Sequence, residues 1–356
     1  MENHMGITHA YQDLDGVAYI GACLAEKLNY KFVKQDMSGE ETEVFTNAAD
    51  AKDWYERAVG FDEIVPEEWE RVTVINLLPE KDAIKFTKDE LETWIRTAKD
   101  LTGNNNLIFK GFLTCSGRKN KDVDHLEDRY QFNRYADKET WTAKPKPTHL
   151  TACRNYLINT YDWIKMSPDK IEADALVIYF AEKKGKKAVM MLKDKDLKQA
   201  MGTFYIDMNN GVKDRAIVET TEIGEISERI MSRGVKDYEG SGFKLICAQT
   251  MVGDTSDGYK GVKGYGPTAA VKMFKDLKTV DECCEVMVEF YNNKYKGDHK
   301  YVDWTGQEQI KTSTELLIQH CQLAYHERGA KDISNPLERY ISDLDPIYRH
   351  AGNSHG

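Results

Sequence analysis

The chain has 356 residues, 41% hydrophobic and 30% charged, with a formal net charge of −10. This suits a water-soluble globular protein of one large or two ordinary domains around a sizeable core. No apolar run is long enough to span a membrane, and the start "MENHMGITHAYQDLDG" lacks the basic head and apolar stretch of a secretory signal.

The seven cysteines are scattered and odd in number, with no CxxC pair, so reduced thiols in a cytoplasm are expected and a zinc site is not. The acidity is local. Residues 36–100 hold 18 Asp and Glu against 8 Lys and Arg, so the rest is balanced at 41 of each sign. Within that balanced part, residues 183–198 carry seven lysines and residues 259–278 carry five. Such patches either hold a phosphate backbone or are simply solvated.

In chain order, "AYQDLDGVAYIGACLAEKL" predicts a short strand ending near Asp15-Gly16, then a helix with Val17, Ile20, Cys23 and Leu24 on one face. Residues 30–46 read as a hairpin. Helices are expected around 48–59 and 87–101, with irregular structure between them. "NNNLIFKGFLTCSG" reads as a strand after a turn cluster, and Arg118–Pro147 as a polar loop or exposed arch. Residues 148–165 have helical spacing. "PDKIEADALVIYFAEKKGKK" reads as a helix with Pro168 near its start and Gly185 past its end. "AVMML" is a buried strand, and "KDKDLKQAM" turns from it into another helix. This alternation predicts an α/β fold with a mostly parallel central sheet flanked by helices. Beyond about residue 213 the pattern is mainly helical, at 222–232, 267–276, 280–294 and 312–328, with a boundary near 210–240. His320 and His326 suggest surface or packing positions rather than a site.

Carboxylates gather where such a fold binds ligands, at strand ends and helix starts. Asp15 ends the first strand, Asp194 and Asp196 follow "AVMML", Glu172 and Asp174 open a helix, and Asp254 and Asp257 open "GDTSDGYKGVKGYGPTAAVKMF". Each has an ordinary explanation as a turn, cap or solvated residue. Together, seven carboxylates from four segments suit Mg²⁺, which prefers oxygen ligands. Two such ions roughly 4 Å apart activate water against a phosphodiester. The run "GVKGYG" (Gly261–Gly266) exposes successive backbone amides, and Pro267 suits the first position of a helix. Amides at a helix start bind phosphate without reading sequence.

The segment "GDTSDGYKGVKGYGPTAA" resembles the helix–three-turn–helix signature of the 5′-nuclease superfamily, which includes flap endonucleases. It is especially similar to the short 5′→3′ exonucleases of podovirus-type bacteriophages. "IEADALVIYFA" resembles the family's EAD helix, "MLKDKDLKQ" its D-x-D segment, "LDGVAYIGA" its amino-terminal strand end and "DRYQFNR" its arch motif. The matches keep family order from about residue 11 to 275.

The resemblance implies a PIN-like 5′-nuclease fold, with a metal-binding core over 1–212 and a helical DNA-binding region over 213–356. The core would carry an acidic insertion at about 36–100 and an arch at about 115–147. The helix–three-turn–helix would lie at about 251–275. The implied activity is Mg²⁺-dependent 5′→3′ hydrolysis of duplex DNA by two-metal in-line attack of water, extending to flaps and RNA primers in RNA–DNA hybrids. Asp15, Glu172 and Asp174 would hold the first ion. Asp194, Asp196 and Asp254 would hold the second, with Asp257 outside them. Mn²⁺ would substitute for Mg²⁺, and K⁺ would bind this turn as it can in relatives. Arg118 and Arg134 would serve catalysis from the arch, joined there by Lys119, Arg129, Tyr130 and Asn133. Lys260, Gly261, Lys263, Gly264, Gly266 and Thr268 would grip the duplex. The implied setting is a monomer in the host cytoplasm, working in DNA replication with replication proteins as further partners.

The sequence departs from the pattern in three places. Leu113 or Thr114 stands where the second strand of the family ends in an aspartate, Gln131 replaces the arch lysine, and Ala175 replaces a second aspartate after "EAD". Two alternatives therefore stand beside the enzyme: an inactive structure-specific DNA-binding protein of the same fold, and a PIN-type endoribonuclease.

Overall fold

The computed structural model describes residues 6–34, 41–45, 48–60, 69–115, 135–137, 142–143, 146–169, 171–231, 234–254, 257–325 and 335–344. The chain forms two compact units. The larger is Met1–Asp15, Trp94–Pro145 and Tyr161–Gly356; the smaller is Gly16–Thr93 with Lys146–Thr160. The boundary read near residue 212 falls inside the larger unit, and the acidic segment supplies much of the smaller one.

Strand β1 (His9–Asp13) leads into α1 (Asp15–Leu24), then β2 (Glu26–Lys34), β3 (Glu41–Phe45), α2 (Ala48–Gly60), β4 (Trp69–Leu77) and α3 (Glu80–Thr102). Next come β5 (Ile108–Leu113), β6 (Tyr135–Asp137), β7 (Thr142–Ala143), α4 (Leu150–Thr160), β8 (Ile164–Met166) and α5 (Ala173–Lys184). They are followed by β9 (Ala188–Leu192), β10 (Thr203–Asp207), β11 (Val218–Thr220), β12 (Ile226–Ile230) and β13 (Lys236–Gly240). The rest is α6 (Gly242–Val252), β14 (Gly253–Asp254), β15 (Tyr259–Lys260), α7 (Pro267–Phe274), α8 (Val280–Lys294), β16 (His299–Val302), β17 (Glu308–Lys311), α9 (Ser313–Ala324) and α10 (Pro336–Leu344).

In the smaller unit β3, β2 and β4 form an antiparallel sheet, with Glu26 opposite Leu77 and Lys34 opposite Trp69. The hairpin was expected; β4 replaces the irregular stretch expected before α3. Buried positions 83, 87, 91, 94 and 98 of α3 keep the helical period along one face.

The larger unit holds a six-stranded sheet in the order β11-β10-β9-β1-β5-β8. Only β11 is antiparallel to its neighbour. All five residues of β9 are buried, as a central parallel strand requires. From β1 the chain adds β5 and β8 on one side and later β9 and β10 on the other. The reversal lies between β1 and β9, where open α/β sheets form a crevice at their carboxyl ends. Helix α5 lies on the sheet, and Phe180 stacks on Phe112 and Tyr11 at 5.4 and 6.0 Å between ring centroids. It begins at Ala173, later than Pro168 suggested, with Glu172 at its N-cap, and stops at Gly185 (φ 56°).

Past residue 213, helices α7, α8 and α9 stand where expected. Where a helix was expected at 222–232, Ile226–Ile230 form β12 in a hairpin with β13. Helix α6, unforeseen, is buried from Gly242 to Met251 and sits at the centre of a core shared with Phe274, Met287, Tyr291, Leu317 and Cys321. His320 packs there, its Nδ1 2.7 Å from the Tyr291 hydroxyl; burial and nearby His299 push its pKa down to about 4. His326 lies outside the described residues. No described helix is long and apolar enough to cross a membrane, and the seven cysteines form no disulfide.

Candidate metal centre

β1 ends at Asp13, two residues earlier than expected, and Asp15 is the first residue of α1. Asp13 is thus the acid at the end of the strand, a candidate ligand the sequence reading overlooked. The two are joined, the Asp15 amide donating to Asp13 Oδ1 at 2.9 Å.

The position after β5 is filled by Thr114. Its amide donates to Asp15 Oδ2 at 2.9 Å, and its Oγ1 accepts from the Ala173 amide at 3.0 Å. Thr114 thus ties Asp15 to the first turn of α5. Glu172, at the N-cap, makes no side-chain cap bond, and Asp174 Oδ1 accepts from the Ala175 amide at 2.7 Å. Ala175 is buried against the core, where a second aspartate would be costly to ionise.

The second set of acids follows β9. Asp194 caps a short 3-10 helix (Lys195–Gln199), accepting from the Asp196 amide at 2.9 Å. Asp196 is buried and accepts from Gln249 Nε2 at 2.5 Å. Asp254, on β14, is buried and accepts from Lys195 Nζ at 2.8 Å. Asp257 is half-buried.

The carboxylates feel one another. Burial pushes Asp13 up to about 8, and the charges of Asp15, Asp194 and Glu172 push the same way. Asp196 rises to about 7 through burial and the charges of Asp194, Asp254 and Asp257. Asp194 is raised as well, by burial and then by Asp257 and Asp254, with Lys195 opposing. It is exposed by surface area, so water screens its shift more. The phenols of Tyr238 and Tyr259, near Asp196 and Asp254, are pushed up by burial and by those acids.

Among the described residues, no three Asp, Glu, His or Cys side chains are drawn together closely enough to hold an ion as they stand. The donor set nevertheless fits a hard divalent cation. It consists of oxygens, and Asp13, Asp194 and Asp196 are raised by burial and by neighbouring charges that a cation would offset. Asp13, Asp15, Glu172 and Asp174 form one candidate group, and Asp194, Asp196, Asp254 and Asp257 the other.

The glycine turn adjoins the second group. α6 stops at Gly253 (φ +80°), and β14 pairs with β15, Asp254 opposite Tyr259. A Cβ on Gly253 would stand 2.3 Å from the Gly261 nitrogen, and one on Gly261 would stand 2.3 Å from the Met251 carbonyl oxygen. These two glycines allow a close backbone crossing. Gly264 (φ +82°) and Gly266 differ, since nothing lies within 4 Å of where their Cβ would be. Gly266 caps α7, whose first residue is Pro267, and Lys260, Lys263 and Thr268 are exposed. The Val262 amide donates back to the Met251 carbonyl of α6 at 2.8 Å, and the Tyr265 amide donates within the turn to the Val262 carbonyl at 3.0 Å. The other basic patch is partly neutralised: Lys186, Lys195 and Lys198 pair with Glu219, Asp254 and Asp207. Arg118, Lys119, Arg129, Tyr130, Asn133 and Arg134 lie outside the described residues, as does Gln131.

The sequence reading also missed Thr114 as a tie, Lys195, and the glutamines Gln199 and Gln249. The Asp-x-Asp alternation of "QDLDG" was the available signal for Asp13; the glutamines have no spacing signal.

No family model matches the chain, and no curated protein matches it. Among solved structures, a mutant of T5 5′-exonuclease is similar at 12% identity and a TM-score of 0.40, over 73% of this chain and 92% of that one. The T5 D15 protein, co-crystallised with metal ions, is similar at 13% identity and a TM-score of 0.39, over 74% of this chain and 90% of that one. Likenesses of this size do not decide function.

Proposed function

We propose that the protein is a Mg²⁺-dependent nuclease that hydrolyses duplex DNA from a 5′ end, with flaps and RNA–DNA hybrids as related substrates. One observation carries the reading: carboxylates that follow β1 and β9, on either side of the sheet's reversal, are buried beside further acids that raise them, and Asp254 among those acids is continuous with an open glycine–lysine turn at a helix start. A protein that only bound DNA would gain nothing from so much negative charge beside a phosphate-binding turn. The 5′→3′ polarity and the choice of duplex rest on the motif resemblance.

When bound, two divalent ions would supply an activated water and charge for the leaving oxygen. Asp13, Asp15, Glu172 and Asp174 would hold one and Asp194, Asp196, Asp254 and Asp257 the other, with Mn²⁺ able to substitute. Thr114 keeps Asp15 and the start of α5 at a fixed offset. Lys195 compensates the charge of Asp254. Lys260, Lys263 and the Gly264–Gly266 backbone would hold phosphates of the duplex away from the cut, and Arg118 and Arg134 would steer the 5′ end. Binding of this kind recognises structure rather than sequence and weakens steeply with salt.

The test is digestion of a duplex labelled separately at its 5′ and 3′ ends, with Mg²⁺ and with chelator. Small 5′-labelled products, released first and only with metal, and lost in Asp196→Ala, are expected. Tight duplex binding without cleavage in Mg²⁺ or Mn²⁺ would support the second reading, a non-catalytic DNA-binding protein. Leu113 or Thr114, standing where the resembled family carries an acid, favours that alternative.

A further inference from the structure

Two buried glutamines link the second carboxylate group to the far side of the helical core. Gln199, at the end of the 3-10 helix after β9, is wholly buried. Its Nε2 donates to the Ala324 carbonyl at 2.7 Å and to Gln249 Oε1 at 2.6 Å. Gln249, on α6 and 1% exposed, donates from its own Nε2 to Asp196 Oδ1 at 2.5 Å. The chain Ala324–Gln199–Gln249–Asp196 joins α9, the 3-10 helix and α6.

The direction of this chain is fixed from one end. A backbone carbonyl can only accept, so Gln199 must turn its NH₂ toward Ala324. The second N–H of that group then claims the oxygen of Gln249, leaving Gln249 to offer its NH₂ to Asp196. A flipped Gln249 would set NH₂ against NH₂ on one side and oxygen against carboxylate on the other. The amide orientation, ordinarily ambiguous, is therefore determined here. Held through Oδ1, Asp196 keeps Oδ2 for a cation. Nothing in ordinary core packing calls for two fully buried amides in series, which are costly unless every group is matched.

We propose that Gln249 is a positioning residue that orients Asp196 toward a divalent cation, and that Gln199 acts through it by fixing its orientation. The inference rests on the metal-dependent reading above. Partners that orient ligating carboxylates typically matter about 10–100-fold in metal affinity.

Mn²⁺ binding to the full chain, followed by the loss of the free-ion spin-resonance signal, tests this without substrate. Gln249→Met keeps the volume and removes the donor, Gln199→Met releases the orientation, and the double variant combines them. The expected result is about tenfold weaker Mn²⁺ binding at the Asp196 site in Gln249→Met and a smaller loss in Gln199→Met. The double variant should be no weaker than Gln249→Met, because Gln199 acts only through Gln249. In cleavage assays the metal concentration for half-maximal rate should rise, while kcat returns at saturating metal. Unchanged Mn²⁺ affinity in Gln249→Met, or losses that simply add in the double variant, would overturn the proposal. If Gln249→Met does not fold, unchanged affinity in Gln199→Met overturns it equally. Wild-type protein that takes up no Mn²⁺ would instead refute the metal-dependent reading, and this inference with it.

Discussion

The crowded acids make stability depend on pH in a direction opposite to that of most aspartates. Unfolded, Asp13 ionises near 3.8; in the fold it keeps its proton up to about 8, and Asp196 up to about 7. Between these limits the native state binds more protons than the unfolded one, so the metal-free protein loses stability as pH rises. From about pH 6 to about pH 8.5, Asp13 loses about 2–3 kcal/mol and Asp196 about 1 kcal/mol, at roughly 1.4 kcal/mol per unit. Water reaching the half-buried Asp13 screens part of this, leaving about 2 kcal/mol, or roughly 4 °C in Tm. Thermal unfolding in chelator at the two pH values, for wild type and Asp13→Asn, measures it directly. Wild type should melt lower at the higher pH, and Asp13→Asn should lose more than half of that dependence. Saturating Mg²⁺ should raise Tm more at the higher pH, where the carboxylates it binds are already ionised. A metal-free Tm that stays flat or rises, in parallel for both proteins, would refute the coupling of these acids.

Three further outcomes are expected. Gly261→Ala, which places a Cβ 2.3 Å from a backbone oxygen, should destabilise by about 3 kcal/mol, whereas Gly264→Ala, with open space but a left-handed backbone, should cost about 1 kcal/mol; equal shifts in thermal unfolding would contradict the close crossing. Thr114→Val strands the Ala173 amide and should cost about 1–2 kcal/mol, while Thr114→Ser should stay near wild type in denaturant unfolding. Replacing Lys260 and Lys263 together by alanine should lower the slope of log affinity against log salt for duplex DNA by about 2, irrespective of DNA sequence; an unchanged slope would remove them from the DNA contact.

Where a single period or punctuation mark dominates, the sequence is easily read. "AVMML" has no polar member and became the central strand, Gly185 ended α5, and Pro267 opened α7. Elsewhere the reading failed. Ile223, Ile226 and Ile230 suit a helix face, yet of Ile226–Ile230 only Ile226 is buried, and the segment instead pairs with β13 as a strand. Helix α6 escaped because a helix buried all round has no polar face to set its period. Asp13 was lost to Asp15 because Asp-Gly is a turn signal, whereas the end of β1 is set by pairing with β5 and β9. The glutamine chain spans contacts 50, 53 and 125 residues apart, which no local pattern encodes.

The juxtaposition of a carboxylate pair with a glycine–lysine turn now has a physical reason. Asp254 sits one residue beyond Gly253, and Gly253 meets Gly261 at a distance no side chain would permit. That crossing fixes the offset between Asp254 and the Gly264–Gly266 turn within one short stretch of backbone. The Gly253 end is continuous with α6, which also carries Gln249, the donor to Asp196. One buried helix therefore carries the residue that orients Asp196 and runs through Gly253 into Asp254, the start of the stretch that forms the open turn. Under the proposed function, a duplex held at Gly264–Gly266 would lie at a constant distance from Asp254 and Asp196, set by the crossing and by α6 rather than by flexible loops. Proximity of this kind lowers the barrier to reaction only if the offset is rigid. The two glycines that have no room for a side chain supply the rigidity, and the two that open onto free space supply the surface.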